Sequence, residues 1–188
     1  MRCQLCLNLS WQPICKNCLD ILLTPTLSKR VLDDGLEVYS SYKYSEISKL
    51  LHTKHTYIGA KIFLQLGKHA ISPFVKAFEN QDIYILPIDD HVRSGYSHSA
   101  ILARSISQHI KPIYGALRAK NKIRYSGQKL SVRQKNKRDF KLTCRADIDV
   151  ILIDDIVTTG NTLIEARECC KKENINVLFA ITLADARE

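Results

Sequence analysis

Two adjacent aspartates, Asp154 and Asp155, stand between an apolar run and a turn rich in hydroxyl groups. The turn consists of Thr158, Thr159, Gly160, Asn161 and Thr162. Consecutive backbone N–H groups and the N-terminus of a following helix favour a bound phosphate. Carboxylates would repel a phosphate alone, but they accept hydrogen bonds from the hydroxyls of a diol. The stretch therefore predicts a site for a sugar 5-phosphate, with the aspartates on the diol and the turn on the phosphate.

The same residues have a plainer interpretation. Asp and Thr often end strands, form Asx-type turns and cap helices without binding any ligand. Two adjacent acids followed by TTGNT form a long, ordered pattern, however, and its length favours the ligand-binding interpretation.

Four cysteines near the N-terminus form two pairs, Cys3 with Cys6 and Cys15 with Cys18. Four thiolates at this spacing can surround one Zn²⁺ as a closed tetrahedron, which is the arrangement of a structural site. A segment this short buries little apolar surface, so the metal would supply its folding energy. The alternative is two redox-active pairs, which a thioredoxin-like setting would normally accompany.

The net charge of +9 comes from one segment of the chain. Residues 118–145 hold eleven Lys and Arg against Asp139 alone, a net charge of +10, and the rest of the chain is at −1. Such density suits the phosphates of a nucleic acid backbone, and Tyr125 and Phe140 would offer stacking faces to unpaired bases. The alternative is a solvated loop beside the sugar-phosphate site. The candidate DNA-binding residues are Arg124, Tyr125, Lys129, Arg133, Lys135, Lys137 and Arg138.

Apolar periodicity predicts the elements that must position these residues. Continuous apolar runs, typical of buried parallel strands, occur at 82–88, 148–153 and 176–184. Apolar spacing of three and four residues, typical of helices, occurs at 45–52, 59–78, 98–110 and 161–173. A strand pair is predicted at 36–45 and a further strand at 112–119. Strands that alternate with helices indicate an α/β fold with a mostly parallel sheet flanked by helices.

The 188 residues suffice for one α/β domain with a small appendage. We expect an N-terminal head and linker at 1–34 and the α/β domain at 35–188. The first residues lack the basic-then-apolar layout of a signal peptide, and no apolar run approaches membrane-spanning length. We therefore expect a cytoplasmic protein without membrane insertion, whose cysteines are thiols or metal ligands.

The stretch from Val150 to Thr162 resembles the ribose-phosphate motif of type I phosphoribosyltransferases, which has four apolar residues, two acids and a Thr-Thr-Gly-x-Thr loop. The resemblance implies a type I phosphoribosyltransferase-like fold, here with a small N-terminal zinc-binding head. It also implies that Asp154 and Asp155 bind the ribose 2- and 3-hydroxyls of phosphoribosyl pyrophosphate (PRPP). Residues 158–162 would bind its 5-phosphate, and Mg²⁺ would accompany its pyrophosphate.

A four-cysteine head on such a domain resembles the ComF/ComFC competence family over nearly the whole chain. That family has a Val-Pro-x-Pro strand end, followed by Arg-Gly-Phe-Asn-Gln in the loop that would hold pyrophosphate. Here Leu86-Pro87-Ile88-Asp89 and Ser94-Gly95-Tyr96-Ser97-His98 occupy the two places. The departures leave Arg93 as the nearest cation. The candidates for the pyrophosphate loop are therefore Arg93, Ser94 and Gly95.

The family resemblance implies a DNA-uptake protein of natural transformation, which binds single-stranded DNA in the cytoplasm and works with other DNA-uptake proteins. Two alternatives stay open. One is an active phosphoribosyltransferase that uses PRPP and Mg²⁺ with an unknown acceptor, and the other is a PRPP sensor without turnover.

Overall fold

The structure is a computed structural model that describes residues 1–89, 96–119, 139–144 and 146–187. Its strands are β1 (Ser28–Val31), β2 (Glu37–Lys43), β3 (Ile83–Asp89), β4 (Lys111–Pro112), β5 (Leu117–Ala119), β6 (Phe140–Leu142), β7 (Asp149–Val157) and β8 (Asn176–Asp185). The α-helices in the same part of the chain are α1 (Lys16–Leu22), α2 (Tyr44–Leu51), α3 (Tyr57–Leu66), α4 (Ser72–Val75), α5 (His98–Ser105) and α6 (Asn161–Lys172). Within these described ranges, none of the helices is both long and apolar enough to span a membrane.

The strands form one sheet in the order β1-β2-β8-β7-β3-β5-β6, with β4 beside β3 outside that path. The pairs from β2 to β5 are parallel, whereas β1 and β6 are attached antiparallel at the two ends. The prediction of a mostly parallel sheet flanked by helices is confirmed. Because parallel strands end on the same side of a sheet, β3, β5, β7 and β8 share one edge, which we call the carboxyl edge.

Strand β7 shows how the sheet is buried on both faces. Ile151 and Ile153 belong to one hydrophobic cluster, and Val150 and Leu152 belong to another, because successive strand residues point to opposite faces. The first cluster includes residues of α1 to α5, and the second includes residues of α6. A strand covered on both faces must be apolar along its length, which accounts for the continuous apolar run in the sequence.

Two predictions about strands are corrected by the sheet pairing. Strand β7 continues beyond Ile153 to Val157, because its pairing with β8 extends through Ile156 with Ala184. The predicted strand pair at 36–45 is wrong, since β2 is followed by helix α2 from Tyr44. The antiparallel partner of β2 is instead β1, which the sequence did not reveal.

The predicted helices at 59–78 and 98–110 are shorter than expected. The first is interrupted by a π-helical turn at Gly67–Ile71, and the second ends at Ser105. These interruptions meet, because a Cβ on Gly67 would lie 2.1 Å from the Ser105 hydroxyl oxygen. Within the predicted strand at 112–119, only Pro112 of β4 and the three residues of β5 are strand residues, and the turn between them contains Gly115 at φ +65°.

The N-terminal head, residues 1–22, packs against the first hydrophobic cluster through Cys3, Ile14 and Cys18. The Gln65 side chain on α3 accepts a hydrogen bond from the Ile14 N–H at 3.0 Å and donates to the Ile14 carbonyl at 2.6 Å. The Tyr42 hydroxyl donates to the Leu23 carbonyl at 2.9 Å, just after the head. The chain then enters β1, so the turn between β1 and β2 contains the boundary proposed after residue 34.

Candidate functional site

Asp154 and Asp155 lie at the carboxyl edge, within the last four residues of β7. Asp154 is in register with Thr182 of β8, and its Oδ1 accepts a hydrogen bond from the Asp155 N–H at 2.8 Å. Both residues are half-buried. As neighbours in a strand, their side chains leave the sheet toward opposite faces. The two carboxylates therefore lie on opposite faces of the sheet at the carboxyl edge.

Thr158, Thr159 and Gly160 form the short loop between β7 and α6, which begins at Asn161, and we call these three residues the phosphate loop. In the described part of the chain, their backbone N–H groups have no hydrogen-bond partner. The first turn of α6 adds further N–H groups that no helical carbonyl can satisfy. Loop and helix end together present the donors and the partial positive charge that a phosphate requires.

Gly160 gives the phosphate loop its shape. Its φ of +86° and ψ of −4° place it in the left-handed region, which glycine enters without steric strain. A Cβ at this position would lie 2.6 Å from Cδ2 of Leu32. Glycine therefore permits both the turn and close packing of the loop on the β1–β2 hairpin.

Arg30 on β1 supports the same loop from behind. Its Nη1 donates to the Thr158 carbonyl at 2.9 Å and to Oδ1 of Asp185 at 3.0 Å. The side chains of Arg30 and Asp185 are only 11% and 13% exposed. No spacing rule connects residue 30 with residue 158, so the sequence carried no signal for this contact.

Asp155 already forms an ion pair with a lysine side chain in this structure. The Lys54 Nζ lies 3.2 Å from Asp155 Oδ2. Lys54 belongs to a short 3-10 turn, His52–His55, whose chain is held by the Tyr96 hydroxyl through bonds to the carbonyls of Lys54 and Thr56. A ligand diol at Asp155 would therefore meet a carboxylate whose charge is partly balanced.

His98 lies beside this ion pair at the first position of α5. Its ring stacks on Tyr96 with the centroids 5.1 Å apart and touches the rings of His55 and Phe63 edge-on. Burial lowers the pKa of His98 to about 4, even though the charge of Asp155 acts in the opposite direction. The imidazole is therefore neutral at pH 7. Its position in the family motif was the only sequence signal for it.

A second polar network ends strand β3. The hydroxyl of Ser97, the N-cap of α5, donates to the buried carboxylate of Asp89. Burial raises the pKa of Asp89 above its ordinary value, although the Ser97 hydroxyl, the Gly115 N–H and Arg118 oppose the shift. The predicted pyrophosphate-loop residues Arg93, Ser94 and Gly95 begin four residues after Asp89 in the sequence and lie outside the described residues.

The predicted DNA-binding residues Arg124, Tyr125, Lys129, Arg133, Lys135, Lys137 and Arg138 also lie outside the described residues. The flanks of that segment are described. The chain leaves at Ala119 and returns at Asp139, and Ala119 pairs with Phe140 across β5 and β6. Strand β5 ends at the carboxyl edge, with Arg118 in register with Asp89. The last described residue before residues 120–138, Ala119, thus lies at the edge that carries the aspartate pair.

Phe140 does not fit its predicted role as a stacking face for bases. It is 8% exposed and belongs to the second hydrophobic cluster. Its backbone carbonyl accepts a hydrogen bond from the Cys169 thiol at 3.4 Å. The ring is buried because successive side chains of β6 alternate, so that Phe140 packs in the second cluster and Lys141 is exposed.

The structure brings the four predicted metal ligands together. The sulfur atoms of Cys3, Cys6, Cys15 and Cys18 lie within 4.8 Å of one another, and we call this group the cysteine cluster. The sulfurs of Cys6 and Cys15 are 3.7 Å apart. Tetrahedral Zn²⁺ with its usual bonds to sulfur holds its ligands about 3.8 Å apart. The cluster therefore has the dimensions of a four-thiolate metal site.

The surroundings of the cysteine cluster also suit thiolates. The Cys15 N–H donates to the Cys3 sulfur at 3.3 Å. Burial opposes ionisation of Cys3, but hydrogen bonds from the backbone at Cys15, Cys6 and Leu5 lower the pKa of its thiol to about 6. Burial and the neighbouring thiols raise the pKa of Cys18 to about 12. A bound cation would remove this conflict by favouring all four thiolates.

Comparison with known proteins gives similarity of fold only. No protein-family model matches the chain, and no curated protein matches it. A hypoxanthine phosphoribosyltransferase from Staphylococcus aureus has a TM-score of 0.42 at 16% identity, over 65% of this chain and 62% of that chain. An adenine phosphoribosyltransferase has a TM-score of 0.44 at 17% identity, over 90% and 89%.

An orotate phosphoribosyltransferase from Aeropyrum pernix has a TM-score of 0.41 at 16% identity, over 92% of this chain and 81% of that chain. For the Staphylococcus aureus protein described above, the matched region covers 62% of its chain, which is less than two thirds. With TM-scores below 0.5, these likenesses carry no argument about activity. The function must be inferred from the aspartate pair, the phosphate loop and the cysteine cluster.

Proposed function

We propose that this protein binds the ribose 5-phosphate group of PRPP or a related ligand at the carboxyl edge of its sheet. One observation carries the proposal: two adjacent carboxylates directly precede a loop whose N–H groups have no partner in the described chain. Carboxylates accept from a diol, and free N–H groups donate to a phosphate. Few ligands other than a sugar phosphate satisfy both groups at once.

Calorimetric titration with ribose 5-phosphate tests this proposal. Asp154→Asn with Asp155→Asn should weaken binding by roughly 100-fold, since charge-assisted hydrogen bonds to the diol are lost. Affinity for inorganic phosphate should hold or improve, because the variant removes two negative charges near the anion. Asp149→Asn is the matched control, as Asp149 lies at the other end of β7 and pairs with Asn176. Equal ribose 5-phosphate binding by the double variant would place the ligand elsewhere.

The basic segment, residues 118–145, favours a second function, which is the binding of single-stranded DNA. In support, the described residues on the two sides of 120–138 pair across β5 and β6, Ala119 with Phe140, and Arg118 is in register with Asp89 at the carboxyl edge. With the cysteine cluster, this arrangement supports a DNA-uptake protein like those of the ComF/ComFC competence family, acting in the cytoplasm with other DNA-uptake proteins. A DNA 5-phosphate end would then be a further ligand for the phosphate loop.

A salt-titrated binding assay with single- and double-stranded DNA tests this second function. On a single strand, the log–log slope of affinity against salt should be about −0.7 for each phosphate neutralised. Lys135→Ala, Lys137→Ala and Arg138→Ala together should weaken binding and flatten the slope by roughly one to two units. Tyr125→Ala should weaken binding with little change in slope, because stacking releases few counterions. If the triple variant bound DNA with unchanged affinity and slope, the result would favour an active phosphoribosyltransferase over a DNA-binding protein.

The alternatives are an active phosphoribosyltransferase and a PRPP sensor without turnover. Either would use Mg²⁺ on the pyrophosphate. Asp89, the last described residue before the pyrophosphate-loop candidates in the sequence, is buried and accepts a hydrogen bond from Ser97. For the cysteine cluster we propose structural Zn²⁺, because the four clustered thiols would fill all four coordination positions of the ion and leave none open for catalysis.

A further inference from the structure

The β1–β2 hairpin touches the phosphate loop and α6 at three successive points. Arg30 bonds the Thr158 carbonyl, Leu32 fills the space beside Gly160, and Asp34 pairs with Arg167 of α6 at 3.1 Å. These contacts follow the chain from the start of the loop into the helix. The hairpin therefore forms the rear wall of the phosphate site.

Within this wall, some N–H groups of the Arg30 guanidinium form no hydrogen bond with the described residues. Nη1 serves both Thr158 and Asp185. The Nε and Nη2 atoms are shielded from solvent and have no hydrogen-bond partner among the described residues. Buried N–H groups without partners lower the stability of the fold, so two of them on one side chain call for an explanation.

We propose that Arg30 is a positioning residue for anion binding, a role that deepens the proposed sugar-phosphate function and rests on it. By holding the Thr158 carbonyl at the rear, Arg30 turns the following N–H groups toward the ligand side. Its charge lies beneath the loop with little water to screen it, so it also favours an anion through space. Asp185 tempers that charge while the site is empty and keeps the guanidinium oriented.

Affinity for inorganic phosphate and for ribose 5-phosphate tests the proposal. Arg30→Met keeps most of the side-chain stem and should weaken both affinities by roughly 10- to 100-fold, in line with loss of a charged contact. Arg30→Lys, which restores the charge, should recover most of the loss. Lys29→Met is the matched control, because Lys29 is the exposed neighbour on β1 and pairs with Glu37. Its effect should stay below about twofold, as for other surface pairs.

A second variant separates this role from simple support of the fold. The asparagine of Asp185→Asn keeps an oxygen that can accept from Arg30 Nη1, so a purely structural role of Arg30 predicts unchanged phosphate affinity in this variant. If the charge of Arg30 favours the anion, Asp185→Asn should raise phosphate affinity, since it removes the competing carboxylate. Unchanged or weakened affinity in Asp185→Asn, or no loss of affinity in Arg30→Met, overturns the proposal.

Should Arg30→Met fail to fold, the unmodified protein provides the test. The Nε–H resonance of Arg30, identified by its absence in Arg30→Lys, should shift and exchange more slowly with solvent when inorganic phosphate is added. A resonance that stays unchanged at saturating phosphate overturns the role of Arg30. A wild-type protein that binds neither phosphate nor ribose 5-phosphate would instead overturn the sugar-phosphate function itself.

Discussion

The cysteine cluster and the proposed sugar-phosphate site are built in opposite ways. All four cysteines of the cluster come from sixteen consecutive residues, 3–18, and a short local chain brings them together. The proposed sugar-phosphate site combines Asp155 and the phosphate loop with Arg30, Lys54 and Asp185, which come from different parts of the fold. A local site can be disrupted with its own segment, whereas an assembled site responds to changes at several distant residues.

The largest expected effect therefore falls on the N-terminal head. Chelation of the metal, or Cys15→Ser, should remove about one zinc per chain and unfold the head, since structural zinc contributes on the order of 10 kcal/mol to such segments. Metal analysis and limited proteolysis at Lys16 measure the two results. Cys144→Ser is the control because Cys144 lies outside the cluster. If the metal-free head still resisted protease, its folding would not depend on the metal, and the proposed structural role of zinc would be wrong.

Gly160→Ala should produce the next largest effect, confined to the assembled site. The left-handed backbone costs an L-residue roughly 1 to 2 kcal/mol, and the new methyl group also meets Leu32. Phosphate affinity should fall by roughly tenfold as the loop shifts, while zinc content stays the same. Denaturant unfolding and calorimetry measure the changes. Gly35→Ala provides a comparison, since Gly35 has φ +81° but open space around its Cβ position.

The pH dependence of stability should report on the surroundings of Asp155. The pKa of His98 is about 4 when folded, below its ordinary value of 6.5. The unfolded chain therefore binds a proton first as the pH falls, and stability contributed by neutral His98 is complete above pH 6.5 and lost toward pH 4. The groups that face it are Asp155, Lys54, His55 and Tyr96.

His98→Phe should weaken this dependence by roughly 2 kcal/mol or less between those pH values, because a phenyl ring can occupy the aromatic pocket without titrating. Urea unfolding at a series of pH values gives the comparison. His52→Phe is a control at a histidine outside the pocket. If wild type and His98→Phe show parallel pH profiles, the imidazole is not buried in its neutral form.

The smallest effect is expected at Lys54. Lys54→Met should lower the free energy of unfolding by about 1 kcal/mol or less, as for other partly exposed ion pairs. A small change in the free energy of unfolding means that Asp155 can leave Lys54 and bind a ligand with little loss of stability. A loss above about 3 kcal/mol would be typical of a buried structural pair and would argue against Asp155 as a ligand-binding group.

Local patterns in the sequence predicted much of this molecule. The cysteine spacing identified the cluster, and the run from Val150 to Thr162 identified strand, loop and helix start, because each depends on neighbouring residues alone. The partners Arg30, Lys54 and Asp185 could not be predicted, since they reach the site through sheet order. Short β1 and the two-residue β4 also escaped prediction, as so few residues carry no periodicity.

Strand β1 has one more consequence, which concerns solubility. It occupies the end of the sheet next to β2, whose sequence EVYSSYK contains aromatic and β-branched residues that favour strand pairing. An uncovered β2 would offer its backbone donors and acceptors to the same strand of another chain. β1 blocks that pairing with a short segment carrying Lys29 and Arg30. We therefore expect chains that begin after β1 to self-associate through β2, even where the remaining core is intact.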